Sequence, residues 1–338
     1  MPRTSIRKYA TAMVAVGALA LTACSGTSGS NEGDSADGDV RTLRLSHFME
    51  PSHPIEACGM EALRNHLDGS TLQVETYPAA QLGGETESLE QVFSGNLDMS
   101  INGPSFIGVY YEPFNVLDAG YLFENAEALR DLSDSEAVLG VLEDAQEASG
   151  MKVFPGWYYG TRYITANTPV ESPDDLKNLK LRTPDAPLYK TNITAMGGNP
   201  TPMALDELYL ALQQGAVDAQ ENPFPTIKTM NLQEVQDHLS LTGHMVQALH
   251  ISVGETVWES LTADEQTLLE EGIAAGAEAA YDCVVEQEES IRAEFEAGDD
   301  IEVHEIDVTE FRDAVRAELS EGQPFSELYR ELIAAQEQ

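Results

Sequence analysis

Residues 262–297 carry an Ala- and Glu-rich pattern of helical spacing with no proline in it. At ~1.5 Å per residue such a helix runs roughly 54 Å, well beyond the ~30 Å of a small domain. One ordinary core cannot enclose a rod of that length. The 338 residues point the same way, because single cores stop growing near about 250–300 residues. The expectation is a helix that braces two lobes.

The preceding segments supply those lobes. Apolar and polar residues alternate along 43–48, 72–77 and 97–101, and helical spacing occupies 55–67 and 85–93. That β-α-β-α-β order predicts a parallel, doubly wound sheet. Residues 125–149 read as one or two helices, and 152–159 and 162–166 as strands crossing into a second lobe. There the alternation restarts. Ser172-Pro173-Asp174-Asp175 is a helix start, with Ser as cap, Pro at the first position and an acid at the third. Strands follow at 179–182, 216–220 and 248–253, and helices at 186–196, 205–214 and 223–231. Two further helices close the chain near 308–319 and 324–336. The fold class is α/β, a two-lobe clamshell. Lobe I takes 40–159 plus 248–287, and lobe II takes 160–247 plus 288–338.

The N-terminus reads as a leader rather than part of the fold. Arg3, Arg7 and Lys8 precede an apolar run over 11–23 that is short for a bilayer span and suits a signal-peptide core. The run ends in Leu21-Thr22-Ala23-Cys24, which resembles the bacterial lipobox, so residues 1–23 are expected to be a lipoprotein signal peptide and Cys24 the lipidated residue. Residues 24–39 are rich in Gly, Ser and Asp with no large apolar side chain, the composition of a flexible tether. Cys58 and Cys283 either pair in an oxidising exterior or sit as buried thiols. No Cys or Cys/His spacing suggests zinc, and no metal or cofactor is expected.

Charge excludes some partners. Against 18 Lys plus Arg stand 58 Asp plus Glu, a formal net charge of −40. That field repels phosphate backbones, so no nucleic-acid partner is expected. An anionic ligand must be met by a few local cations. Enzyme signatures such as Gly-x-Ser-x-Gly, His-Glu-x-x-His and a phosphate-binding glycine loop are missing from the sequence. His47 and His53 beside the first strand read as packed or hydrogen-bonded rather than as ligands. Between Asp131 and Ile291 the arginines are Arg162 and Arg182 alone, both near ends of expected strands. Open α/β sheets bind ligands beyond such ends. The planar guanidinium fork is the natural partner of a carboxylate.

Those arginines lie in a recognisable set of motifs: Gly160-Thr161-Arg162; Leu179-Lys180-Leu181-Arg182 followed by Pro184; Gly197-Gly198-Asn199-Pro200-Thr201-Pro202-Met203; and Leu212-Gln213-Gln214-Gly215-Ala216-Val217-Asp218-Ala219-Gln220-Glu221-Asn222-Pro223. With Tyr77-Pro78 and Gly95-x-Leu97-Asp98 they resemble the solute-binding receptors of TRAP transporters, the tripartite ATP-independent importers. The resemblance runs from Leu43 through the body. It implies a periplasmic-binding-protein-like fold and a monomer. It also implies delivery of a small organic carboxylate to small and large membrane subunits, outside the cytoplasm, from the periplasm or the outer face of the cytoplasmic membrane. It implies that Arg182 clamps the substrate carboxylate, that Asn222 touches the same group, and that Arg162 sits with Glu221 and His244. A binding protein for a sensor kinase or an ATP-driven importer, or an exported enzyme on the same frame, are the rival readings.

The chain departs from the sialic-acid receptors at three places. Phe48 stands at a first-strand Asn, Thr86 at an Arg and Gly103 at a Glu. Those departures favour a smaller or less polar carboxylate, with Phe48 and Trp157 or Tyr158 packed on it or buried in the core.

Overall fold

The computed structural model describes residues 40–336. The expected signal peptide over 1–23, the expected lipidation at Cys24 and the expected tether over 24–39 lie outside the described residues. The first layer of the fold is the expected alternation. Strand β1 (Arg41–Ser46) leads through a π-helical turn (Ile55–Met60) into α1 (Glu61–Leu67) and β2 (Leu72–Tyr77). Then come α2 (Glu85–Phe93), β3 (Met99–Asn102), the short α3 (Pro104–Ile107), α4 (Ala126–Ser133) and α5 (Glu136–Ser149). Asn125 and Ser135 cap α4 and α5 with side-chain oxygens that accept from backbone N–H groups three residues on.

Two short stretches behave differently from expectation. Residues 152–159 do not form one strand. β4 is Lys152–Val153, and β5 runs unbroken over Trp157–Ala166. Gly160, at φ +131°, lets β5 shift register between Tyr158 and Gly160 instead of ending there. Next come α6 (Pro173–Leu176), β6 (Lys180–Thr183), α7 (Pro187–Ala195), β7 (Asn199–Pro202), α8 (Leu208–Gln213), β8 (Ala219–Pro223) and α9 (Phe224–Thr229). Ser172 and Asp175 make the capping box that their spacing announced. The strand expected at 248–253 starts ten residues earlier, as β9 (His238–Val253). Its Ser240, Thr242, His244, Gln247, His250 and Ser252 are all buried, so polar residues face inward and blur the alternation. The chain closes with α10 (Glu255–Ser260), α11 (Ala263–Ala297), β10 (Glu302–His304), α12 (Thr309–Leu319) and α13 (Ser326–Gln336).

The sheet order is β2-β1-β3-β9-β5-β8-β6-β7, with β4 and β10 also on β9. Each end is parallel, β2-β1-β3 at one and β8-β6-β7 at the other. The antiparallel pair β5 and β9 runs between them. β7 holds Pro200 and Pro202, which an edge strand tolerates because its outer side has no neighbour to donate to.

Helix α11 feeds two hydrophobic clusters. Leu269, Ile273, Ala280 and Val284 join the larger one, and Ile291 and Phe295 join a second around Leu208, Phe224 and Leu239. A Cβ on Gly59 or on Gly276 would meet the Trp157 ring at 2.6 or 2.4 Å, so the two glycines make the slot that holds the indole. Cys58 and Cys283 are disulfide-bonded, with Cα atoms 6.5 Å apart, and join the π-helical turn to α11. Among the described residues no helix is long and apolar enough to cross a membrane.

Candidate ligand site

Arg162 enters from β5 opposite β8 and β9, whose registers bring Pro223 and Met245 beside it. Its guanidinium is 2% exposed and fully engaged. Nε donates to Glu221 Oε2. Nη2 donates to Glu221 Oε1 at 2.8 Å, to the Glu221 carbonyl at 2.7 Å and to Asn222 Oδ1 at 3.2 Å, and Nη1 donates to Gln247 Oε1 at 2.9 Å. His244 Nε2 lies 3.2 Å from Glu221, and its Nδ1 lies 2.9 Å from the Thr242 hydroxyl. Burial alone would raise the Glu221 carboxyl, but Arg162 and His244 hold it down to about 2. Gln247 donates onward to Asp118 at 2.8 Å and to the Tyr189 hydroxyl. The cluster is a satisfied buried network, so it is rigid.

Arg182 differs. It leaves β6 toward the same space and is 1% exposed, not the exposed strand-end residue its sequence position suggests. Nε and Nη2 both donate to the Met203 carbonyl, at 3.0 and 2.7 Å, and Nη1 has no partner among the described residues. Burial, reinforced by the nearby Arg162 charge and only partly offset by Glu221 and Glu85, lowers its pKa to about 10. A buried cation with an unsatisfied donor is a costly arrangement unless an anion completes it. Met203 occupies the Nε–Nη2 edge of the fork, which leaves Nη1 as the donor still to be satisfied.

Around these groups lies a small cavity of ≈ 10 Å³, lined by Phe48, Glu85, Tyr159, Pro184, Tyr189 and Leu205, among others, with Arg162, Arg182 and Asn222. Phe48 meets Tyr159 edge-on, with ring centroids 5.9 Å apart. Asn222 donates to Gln220 at 2.6 Å and accepts from Arg162, which fixes the amide facing the cavity. Of the residues expected here, the structure brings together Arg162, Arg182, Asn222, Glu221, His244 and Phe48. Trp157 and Tyr158 do not belong to the cavity. Trp157 fills the glycine slot under α11, and Tyr158 donates to Glu288 on α11 at 2.6 Å, because the bulge at Gly160 turns the two away and leaves Tyr159 facing inward. His47 and His53 are packed, as expected; His47 lies 2.9 Å from Glu56, and His53 stacks on Tyr159.

Tyr159, Tyr189, Gln247 and Glu85 also line the cavity, and no sequence pattern marks them. Glu85 is the most informative of these. It begins α2, accepts from the Gly103 N–H at 3.2 Å and is pushed by burial up to about 8, against the pull of that N–H and of Arg182 and Arg162. An acid at a helix start normally reads as a cap neighbour, so nothing in its position marked it. Gly103 is required where it stands, since a Cβ there would come within 2.9 Å of the Tyr189 hydroxyl. A wider groove of ≈ 640 Å³ lies between α4 and α11, but there Arg130 sits on the Tyr281 ring and Lys152 pairs with Glu270. Volume favours that groove, whereas the unsatisfied cation favours the smaller cavity. Two guanidiniums, an amide and one carboxyl suit an organic anion better than a metal ion.

Comparison with known proteins agrees with this chemistry. The family model DctP, bacterial extracellular solute-binding protein family 7, matches residues 46–323. A sialic acid-binding periplasmic protein of Vibrio cholerae is 33% identical over 245 residues, 72% of this chain and 76% of that one. A C4-dicarboxylate-binding periplasmic protein of Rhodobacter capsulatus is 32% identical over 272 residues, 79% and 81%. A TRAP periplasmic solute-binding protein of Roseobacter denitrificans with bound L-galactonate is similar in structure at TM-score 0.81 and 25% identity, covering 86% of this chain and 98% of that one.

Proposed function

The chain belongs to the DctP family of bacterial extracellular solute-binding proteins and is a TRAP-type solute receptor, and we propose that its ligand is a small organic carboxylate held by Arg182. The observation that carries this reading is the buried Arg182 guanidinium with Nη1 unpartnered at the cavity. In this reading Nη1 and the Asn222 amide grip the carboxylate. Arg162, locked by Glu221 and His244, is a positioning residue that keeps Asn222 in place. Phe48, Tyr159 and Leu205 cover the rest of the ligand. The receptor does no chemistry on it. A lobe of 40–159 plus 248–287 closes on one of 160–247 plus 288–338, and the loaded monomer docks on the small and large membrane subunits.

The test is a thermal-shift screen of organic acids. A ligand at ~100 times its dissociation constant stabilises by ~2.7 kcal/mol. Some mono- or dicarboxylate should raise the melting temperature, whereas sialic acid should not, because Phe48, Thr86 and Gly103 replace polar contacts. Sialic acid binding as well as the best small acid sinks the specificity part. Failure of every carboxylate sinks the ligand class.

The body is held at the membrane by lipid on Cys24. Cys24→Ser should abolish incorporation of labelled fatty acid and release soluble receptor. Unchanged membrane retention of that variant would overturn the anchor.

A further inference from the structure

We propose that His238, Glu302 and His304 form a binding site for one divalent transition-metal ion of the zinc class, separate from the carboxylate cavity. β10 pairs in parallel with the start of β9, with Glu302 beside His238 and His304 beside Ser240. Side chains alternate along a strand, so Glu302 and His304 share a face, and the register sets His238 on that face next to them. The result is three ligand atoms from two neighbouring strands. His238 Nδ1 lies 2.9 Å from His304 Nε2 and 3.6 Å from Glu302 Oε2, and His304 Nε2 lies 3.9 Å from Glu302 Oε1.

Those separations fit a metal. Nitrogen and oxygen ligands ~2.0–2.2 Å from a tetrahedral zinc are roughly 3.3–3.5 Å from one another; the two imidazoles approach Glu302 through different oxygens, and one ligand atom from each of the three residues lies within 4.8 Å of the other two. The imidazoles are partly buried and held at their strands, while Glu302 is exposed, so its carboxylate can swing to bring one oxygen within reach of both nitrogens. Glu305, the next acid along, is taken by Arg292 at 2.6 Å, so the set is two imidazoles and one carboxylate. That donor set suits zinc, cobalt or nickel, and not calcium or magnesium, which take oxygen ligands. Three protein ligands leave the fourth position to water. The −40 charge of the chain raises the local concentration of any cation. The ligands come from positions 238, 302 and 304, so no short motif betrays them. A bound ion would tie β10, which follows α11, to the first residue of β9.

The experiment is calorimetric titration of the chain with zinc chloride, beside His304→Ala and Glu302→Gln. The parent should bind one zinc per chain. Each variant should lose more than the roughly 10–100-fold that even an outer partner of a metal ligand is worth. Cobalt should give the visible absorption of a tetrahedral site in the parent and lose it in His304→Ala. Equal zinc affinity in parent and His304→Ala would overturn the site and assign the binding to scattered surface carboxylates. Both variants change partly exposed side chains, so an unchanged melt without zinc checks that they fold.

Discussion

Arg182→Ala is expected to weaken binding of the best organic acid by about 30-fold to several thousand-fold, or roughly 2–5 kcal/mol. The magnitude follows from burial. The cavity offers an anion the Nη1 group and little other charge, since Arg162 is already spent on Glu221. Two terms oppose each other in the unliganded variant. Loss of the guanidinium strands the Met203 carbonyl, which costs about 1–3 kcal/mol. It also removes a buried charge whose lowered pKa represents a cost on the order of 3 kcal/mol at neutral pH. The unliganded melt should therefore move far less than the affinity. Arg182→Lys keeps a charge without the fork and should recover part of the loss. Titration calorimetry with a melt of each unliganded protein separates the two effects. Binding by Arg182→Ala within about threefold of the parent would mean that Arg182 is not the clamp.

Glu221→Ala should do the reverse and strike the fold first. It leaves Arg162 buried without its counter-charge, a change worth roughly 3–5 kcal/mol. The isosteric Glu221→Gln is milder and exposes the pH dependence. Glu221 is held near 2 in the folded chain, below the ordinary 4.5. Its stabilisation is complete above pH 4.5 and drains away as pH falls toward 2. Glu85 and Glu288 are shifted the other way, to about 8 and about 7, so they favour the fold less as pH rises from 4.5 through those values. Urea midpoints measured between pH 4.5 and 2.5 should fall more steeply for the parent than for Glu221→Gln. Equal slopes would show that the pair does not govern acid unfolding.

The sequence displayed whatever repeats with a period. β1, β2, α1 and α2 announced themselves by alternation or helical spacing, and the Ser172 start by its cap. α11 was legible because it has no breaker in it. The site was legible where rarity helped, since Arg162 and Arg182 stand alone over a long stretch of an acidic chain. What stayed hidden depends on long-range geometry. Nothing local tells that Met203 occupies one edge of Arg182, or that the bulge at Gly160 sends Tyr158 to Glu288 and Tyr159 into the cavity. β9 was half lost because its inward face is polar, and β10 because three residues carry no pattern. Glu85 was lost because a carboxyl at a helix start has an ordinary explanation.

The placement of β9 also sets the order in which this chain can finish folding. β3 has β1 on one side and β9 on the other, and β5 has β8 and β9. Until residue 238 has been made, both sheet halves present an open, hydrogen-bond-hungry edge. Until α11 follows, both hydrophobic clusters lack the wall it supplies. Neither half can close early and wait for the other. The chain therefore stays incomplete until its last third arrives, then locks along β9 and α11 together. Such late, distant pairing favours slow folding with little structure stable beforehand, and it makes a chain that ends before residue 238 a fragment with two sticky edges rather than a smaller receptor.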